Sequence, residues 1–77
     1  MLMEPIRLML VDDHEIVRKG IKMFLEMQDR FKVIAESGNG MDAIVLALAV
    51  RPDIILMDVT MPVMGGLETT RILRSRW

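Results

Sequence analysis

Along the chain, three short apolar runs alternate with longer segments in which apolar and charged positions recur at helical spacing. Ile6 to Val11 is apolar except for Arg7, and it is bounded by Pro5 and by Asp12-Asp13. A strand buried on both faces of a parallel sheet has this pattern, because helices cover it above and below. From His14 to about Met27, Val17, Ile21, Phe24 and Leu25 recur one and two turns apart, with Glu15, Arg18, Lys19, Lys22 and Glu26 on the other side. That spacing predicts an amphipathic helix. Gly20 within it costs up to about 1 kcal/mol relative to alanine, so either tight packing or a weakened helix is expected there.

Phe31 to Ala35 predicts a second strand, and Ser37-Gly38-Asn39-Gly40 a turn whose asparagine can cap the next helix. Met41 to Val50 is helical by length and by its alanines. Its apolar residues form two stripes, Met41, Val45 and Leu48 on one and Ala43, Leu46, Ala47 and Val50 on the other. One stripe faces the sheet and the second is left for a partner. Ile54 to Met57, fenced by Arg51-Pro52-Asp53 and by Asp58, predicts a third buried strand. Thr60 to Gly66 reads as a loop and Leu67 to about Ser75 as a third helix, with Leu67, Ile72 and Leu73 as its contacts. Strand and helix alternating through short loops implies right-handed crossovers onto a parallel sheet, an α/β fold.

Composition narrows the function classes. Seventy-seven residues leave room for one domain or part of one. With 52% hydrophobic and 27% charged residues, the chain is too apolar for intrinsic disorder and too interspersed with charge to span a membrane. Ten basic and eleven acidic residues give a net charge of −1, which carries no footprint for nucleic acid or an anionic bilayer, so neither is expected as a partner. The absence of cysteine excludes a disulfide framework, a cysteine zinc site and a thiol nucleophile, and fits a reducing cytoplasm. The first residues lack the basic and apolar regions of a signal peptide. Nine methionines, Met57, Met61 and Met64 among them, read as adaptable packing rather than sulfur ligands.

The chemistry-bearing residues are carboxylates at strand ends. In open parallel sheets ligands bind beyond the carboxyl ends of the strands. Asp12 and Asp13 end the first strand and Asp58 ends the third. With those strands adjacent, three carboxylates converge and repel one another unless a hard divalent cation offsets them. An oxygen donor set points to Mg2+ rather than zinc. A carboxylate beside such an ion is a competent nucleophile toward phosphorus. Taken singly, each aspartate could merely cap the following helix. His14 is read as a partly exposed residue at a helix start rather than a ligand.

Leu8-Met9-Leu10-Val11-Asp12-Asp13-His14, Arg51-Pro52-Asp53-Ile54-Ile55-Leu56-Met57-Asp58 and Met61-Pro62-Val63-Met64-Gly65-Gly66 together resemble the receiver domain of two-component response regulators. The Asp-Asp-His followed by Val17-Arg18-Lys19-Gly20 is most similar to the NarL/FixJ-type subfamily. The resemblance implies a flavodoxin-like doubly wound sheet, here a βαβαβα unit with strand order 2-1-3. It implies that Asp58 is the phosphoacceptor, that Asp13 and Asp58 ligate Mg2+ directly, that Asp12 acts largely through water, and that the Thr60 backbone carbonyl is a further ligand. It implies a sensor histidine kinase or a small phosphodonor such as acetyl phosphate, and a signalling module rather than an enzyme.

The resemblance covers only the first three of the family's five βα units. A truncated receiver over residues 1–77 is therefore expected, without the strand 4 Ser/Thr, the strand 5 Lys or an output domain. Switching would then be impaired, and self-association would follow through the bare strand 3 edge or the free stripe of the second helix. Two alternatives are a non-signalling dimerising fragment with a vestigial acidic site, and a phosphohydrolase of the haloacid dehalogenase type. The latter starts from Asp58-Val59-Thr60 and leaves Asp12-Asp13 unexplained.

Overall fold

The computed structural model describes residues 4–58 and 65–76. The elements run β1 (Ile6–Val11), α1 (Glu15–Glu26), β2 (Phe31–Ser37), α2 (Gly40–Val50), β3 (Ile54–Met57) and α3 (Gly66–Arg76). All strands are parallel, and the sheet order is β2-β1-β3. Of the predicted loop from Thr60 to Gly66, residues 60–64 lie outside the described residues, and Gly66 already opens α3.

β1 is the central strand, as its nearly unbroken apolar run requires. Its alternating side chains feed two cores. Met9 and Val11 join Ala43 and Ala47 of α2 and Leu73 of α3 on one face. Leu8 and Leu10 join Val33 on the other, with Ile6, Leu25 and Phe31 around them. Thus α2 and α3 share one face of the sheet and α1 takes the other.

The strand lengths differ from the reading of side chains alone. β2 runs two residues past Ala35, because Glu36 and Ser37 continue the ladder opposite Leu10 and Val11. Pairing is a backbone property, and polar side chains at a sheet edge do not interrupt it. A register shift opposite Leu8 and Met9 leaves Ile34 as an extra residue, so Val33 pairs with Leu8 and Ala35 with Met9.

Two expectations about packing are corrected, and at Gly20 one of two alternatives is selected. β3 is not buried on both faces: Ile54 and Leu56 are each 43% exposed, since no described strand pairs its outer edge and α1 leans over β1 and β2. α1 has no buried residue; Val17, Ile21 and Phe24 of its predicted stripe are exposed and only Leu25 reaches the core. Space around Gly20 is open, with nothing within 4 Å of where a Cβ would sit, so its cost to the helix is not offset by close packing.

In α2, Ala43, Leu46 and Ala47 of one stripe pack into the core, and Leu48 of the other stripe packs against it as well. Only Met41 and Val45 of the other stripe remain exposed. In α3, Leu67 is exposed and Thr69 is fully buried instead, its hydroxyl donating to the Gly65 carbonyl at 2.9 Å.

Both ends of α2 are closed by specific side chains. Asn39 is the N-cap, its Oδ1 accepting from the Asp42 amide at 2.8 Å. At the other end Arg51 adopts the left-handed conformation, φ 48° and ψ 65°, and its amide donates to the Ala47 carbonyl. Arg7 of β1 then donates through Nη1 to the Arg51 carbonyl at 2.7 Å and through Nη2 to the Val50 carbonyl at 2.6 Å. Its amide donates to Asp53 Oδ2 and its carbonyl accepts from the Asp53 amide, each at 2.8 Å. Arg7 therefore ties the start of β1 to the end of α2 and the entry to β3.

Candidate functional site

The backbone ladder places the carboxylates. Val11 pairs with Met57, and the Asp58 amide donates to the Val11 carbonyl at 2.9 Å. On the other side the Asp12 amide donates to the Ser37 carbonyl at 3.0 Å. Asp12 and Asp58 thus leave adjacent strands at the same level, at the carboxyl end of the sheet.

One ligand atom from each of Asp12, Asp13, His14 and Asp58 falls within a group whose members all lie within 4.8 Å of one another. The three carboxylate side chains are 17%, 26% and 22% exposed, and His14 is 64% exposed. His14 occupies the N-cap position of α1 and makes no side-chain capping bond. Its amide donates to Asp12 Oδ1 at 2.8 Å. Its Nδ1 lies 3.1 Å from Asp12 Oδ1, 3.1 Å from Asp13 Oδ1 and 4.0 Å from Asp58 Oδ2. The hydrogen bond to Asp12 raises the His14 pKa above its ordinary value, with the charges of Asp13 and Asp12 adding to it, desolvation opposing it and the charge of Asp58 contributing last.

The donor set fits a hard divalent cation. Three carboxylates held on adjacent strands, without thiolates, suit an ion that prefers oxygen. Among the predicted site residues, Asp12, Asp13 and Asp58 meet; Thr60 lies outside the described residues.

A sequence-profile comparison decides the family. The profile of the response regulator receiver domain matches residues 8–77. The chain belongs to the response regulator receiver family. It is 42% identical over 73 residues to the nitrate/nitrite response regulator NarL of Escherichia coli K12, covering 95% of this chain and 34% of that protein. It is 47% identical over 66 residues to the transcriptional regulatory protein LiaR of Bacillus subtilis, covering 86% of this chain and 31% of that protein. The chain thus spans about a third of these curated relatives.

Among solved receiver structures, the signal receiver domain of the putative response regulator NarL from Mycobacterium tuberculosis superposes with a TM-score of 0.91 at 32% identity, over 96% of this chain and 60% of that one. A LuxR-family two-component response regulator from Aurantimonas superposes with a TM-score of 0.90 at 42% identity, over 94% and 51%. The flavodoxin-like receiver fold with strand order 2-1-3 is therefore the fold of this chain.

Two residues in the receiver site were not assigned to it from sequence. His14 was set aside as a helix-start residue, yet its ring joins the carboxylates; its adjacency to Asp12-Asp13 was the available signal. Arg18 was placed on the solvent side of α1, yet its side chain is only 17% exposed. Its Nη1 donates to the Asp12 carbonyl at 2.5 Å and its Nε to Glu36 Oε1 at 3.2 Å. The signal for it was its place one turn after His14.

Proposed function

We propose that this chain is a phosphoacceptor module of two-component signalling, with Asp58 taking a phosphoryl group and Mg2+ held by Asp13 and Asp58 directly and by Asp12 largely through water. The observation that carries the reading is the convergence of the Asp12, Asp13 and Asp58 carboxylates beyond adjacent parallel strands. The Thr60 carbonyl, by family resemblance, completes the set.

When bound, Mg2+ offsets the negative charge on phosphoryl oxygens as they approach the acidic site. Asp58 supplies the nucleophilic oxygen. With a phosphohistidine of a sensor kinase as donor, the new bond is between that oxygen and phosphorus and the bond lost is phosphorus–nitrogen; imidazole leaves and takes up a proton. With acetyl phosphate the bond lost is to the acetate oxygen, and acetate leaves. The product in both is an aspartyl phosphate, so the module is a substrate of its kinase rather than a turnover enzyme.

The match to receivers over residues 8–77 favours this reading over the phosphohydrolase one, and it accounts for Asp12-Asp13. The expected cytoplasmic setting agrees with its place in two-component signalling. No helix of the described residues is long and apolar enough to cross a membrane.

Residues 1–77 hold the acidic site; by family resemblance, the coupling of phosphorylation to a shape change draws on a Ser/Thr and a Lys that are not among them. Its exposed Ile54 and Leu56 on β3, with Met41 and Val45 on α2, support self-association through one of those surfaces. A vestigial acidic site on a dimerising fragment is the competing reading.

The test is treatment with acetyl phosphate and Mg2+, read by intact mass. One phosphoryl adduct is expected, labile to hydroxylamine and absent from Asp58→Asn. Persistence of the adduct in Asp58→Asn removes Asp58 from its role, and the absence of any adduct in the unaltered chain favours the vestigial reading. Asp13→Ala should weaken Mg2+ binding more than Asp12→Ala.

A further inference from the structure

A hydrogen-bonded chain outside the carboxylate cluster reaches it from behind. Lys22 Nζ of α1 lies 3.3 Å from Glu36 Oε2 of β2, and Arg18 Nε donates to Glu36 Oε1 at 3.2 Å. Arg18 Nη1 then donates to the Asp12 carbonyl at 2.5 Å. Gly38 flanks this contact: a Cβ there would sit 3.4 Å from Arg18 Nη1 and 4.0 Å from the Asp12 oxygen.

The Asp12 carbonyl belongs to the peptide plane that joins Asp12 to Asp13. Orienting that plane sets ψ of Asp12 and φ of Asp13, the two torsions that decide how the paired carboxylates point relative to each other. The Asp12 amide is already held by Ser37, so the Arg18 bond fixes the remaining side of the same residue. Arginine suits the task because its fork reaches the carbonyl and Glu36 at once from a rigid plane, which a lysine ammonium on a flexible stem does not.

We infer that Arg18, held by Glu36, is a positioning residue that orients the Asp12–Asp13 peptide and so presets the cation site. The inference rests on the metal-binding reading above. Groups that orient metal ligands from behind typically influence affinity by about tenfold or more.

The test compares Arg18→Ala, Arg18→Lys and Glu36→Gln with Arg7→Met, a change at the opposite end of β1 that loosens the fold without touching the site. Calorimetric titration with MgCl2 should give a dissociation constant raised about tenfold in Arg18→Ala, partly recovered in Arg18→Lys, raised less in Glu36→Gln, and unchanged in folded Arg7→Met. An unchanged constant in Arg18→Ala, or an equal rise in Arg7→Met, overturns the assignment.

A second readout needs no metal. The residual dipolar coupling of the Asp13 N–H reports the orientation of the Asp12–Asp13 peptide plane. It should change in Arg18→Ala and not in Arg7→Met; an unchanged coupling in Arg18→Ala overturns the assignment. If the unaltered chain binds no Mg2+, the metal-binding reading fails by itself, and the coupling still decides whether Arg18 orients the peptide.

Discussion

Replacing Arg7 by methionine keeps most of the aliphatic stem and removes the guanidinium that closes the end of α2. Two bonds are lost, to the Val50 carbonyl at 2.6 Å in a part-buried position and to the Arg51 carbonyl at 2.7 Å in an exposed one. The first counts at about 1.5 kcal/mol, the low end for a charged donor, and the second at about 0.5 kcal/mol because water replaces it readily. Loss of a cation at the negative end of a helix adds about 0.3–1 kcal/mol. The expected destabilisation is about 2–3 kcal/mol, a large share of the roughly 4–12 kcal/mol available to a domain of this size.

Urea unfolding followed by far-UV circular dichroism measures the loss. With a slope of about 1 kcal/mol per molar, the midpoint should fall by about 2 M or more at unchanged slope. Arg7→Lys retains the charge but not the two-pronged reach, so it should recover about half of the shift. A midpoint drop below about 0.5 M in Arg7→Met, or full recovery by lysine, would refute the capping role and leave Arg7 with no more effect than a solvated surface charge.

Gly20→Ala should stabilise the chain by about 0.5–1 kcal/mol, because the added methyl meets open space and the helix gains propensity; a lower thermal midpoint would contradict it. His14, titrated by proton NMR, should show a pKa above the usual histidine value of about 6.5. Its contribution to stability is then fully present below the unfolded-state pKa and is lost as pH rises through the raised folded-state value. Asp12→Ala should move the His14 pKa down toward the ordinary value, and an unmoved titration would remove the Asp12 bond as the main cause. Val45→Glu should lower the solution mass if α2 mediates self-association, whereas Leu48→Glu should unfold the chain, since Leu48 packs on the core; an unchanged mass in Val45→Glu would move the contact to the β3 edge.

Much of this protein was determined by its sequence alone. The alternation of apolar runs with helical spacing specified six elements and their order, since the periods of strand and helix are local properties. Asp12, Asp13 and Asp58 were legible because they directly follow apolar runs, and the parallel topology implied by the crossovers brings such positions to one end of a sheet. The Asn39 cap was legible for the same reason: it depends on residues within one turn.

What only the tertiary structure decided depends on which surfaces meet. Spacing gave α1 an apolar stripe, yet Val17, Ile21 and Phe24 stay exposed, because burial requires an opposing layer and the described residues provide one only near Leu25. Leu48 joined the core because α2 packs on both the sheet and α3. Arg7 and Arg18 looked alike as polar positions, but one seals a helix end and the other grips the backbone of the acidic site. The acceptors of Arg7 are 43 and 44 residues away; Arg18 reaches the Asp12 carbonyl six residues away, but the Glu36 carboxylate that aims it is 18 residues away. No local pattern encodes partners at such separations, since they are set by the register of β1 with its neighbours and by the direction in which each helix returns to the sheet.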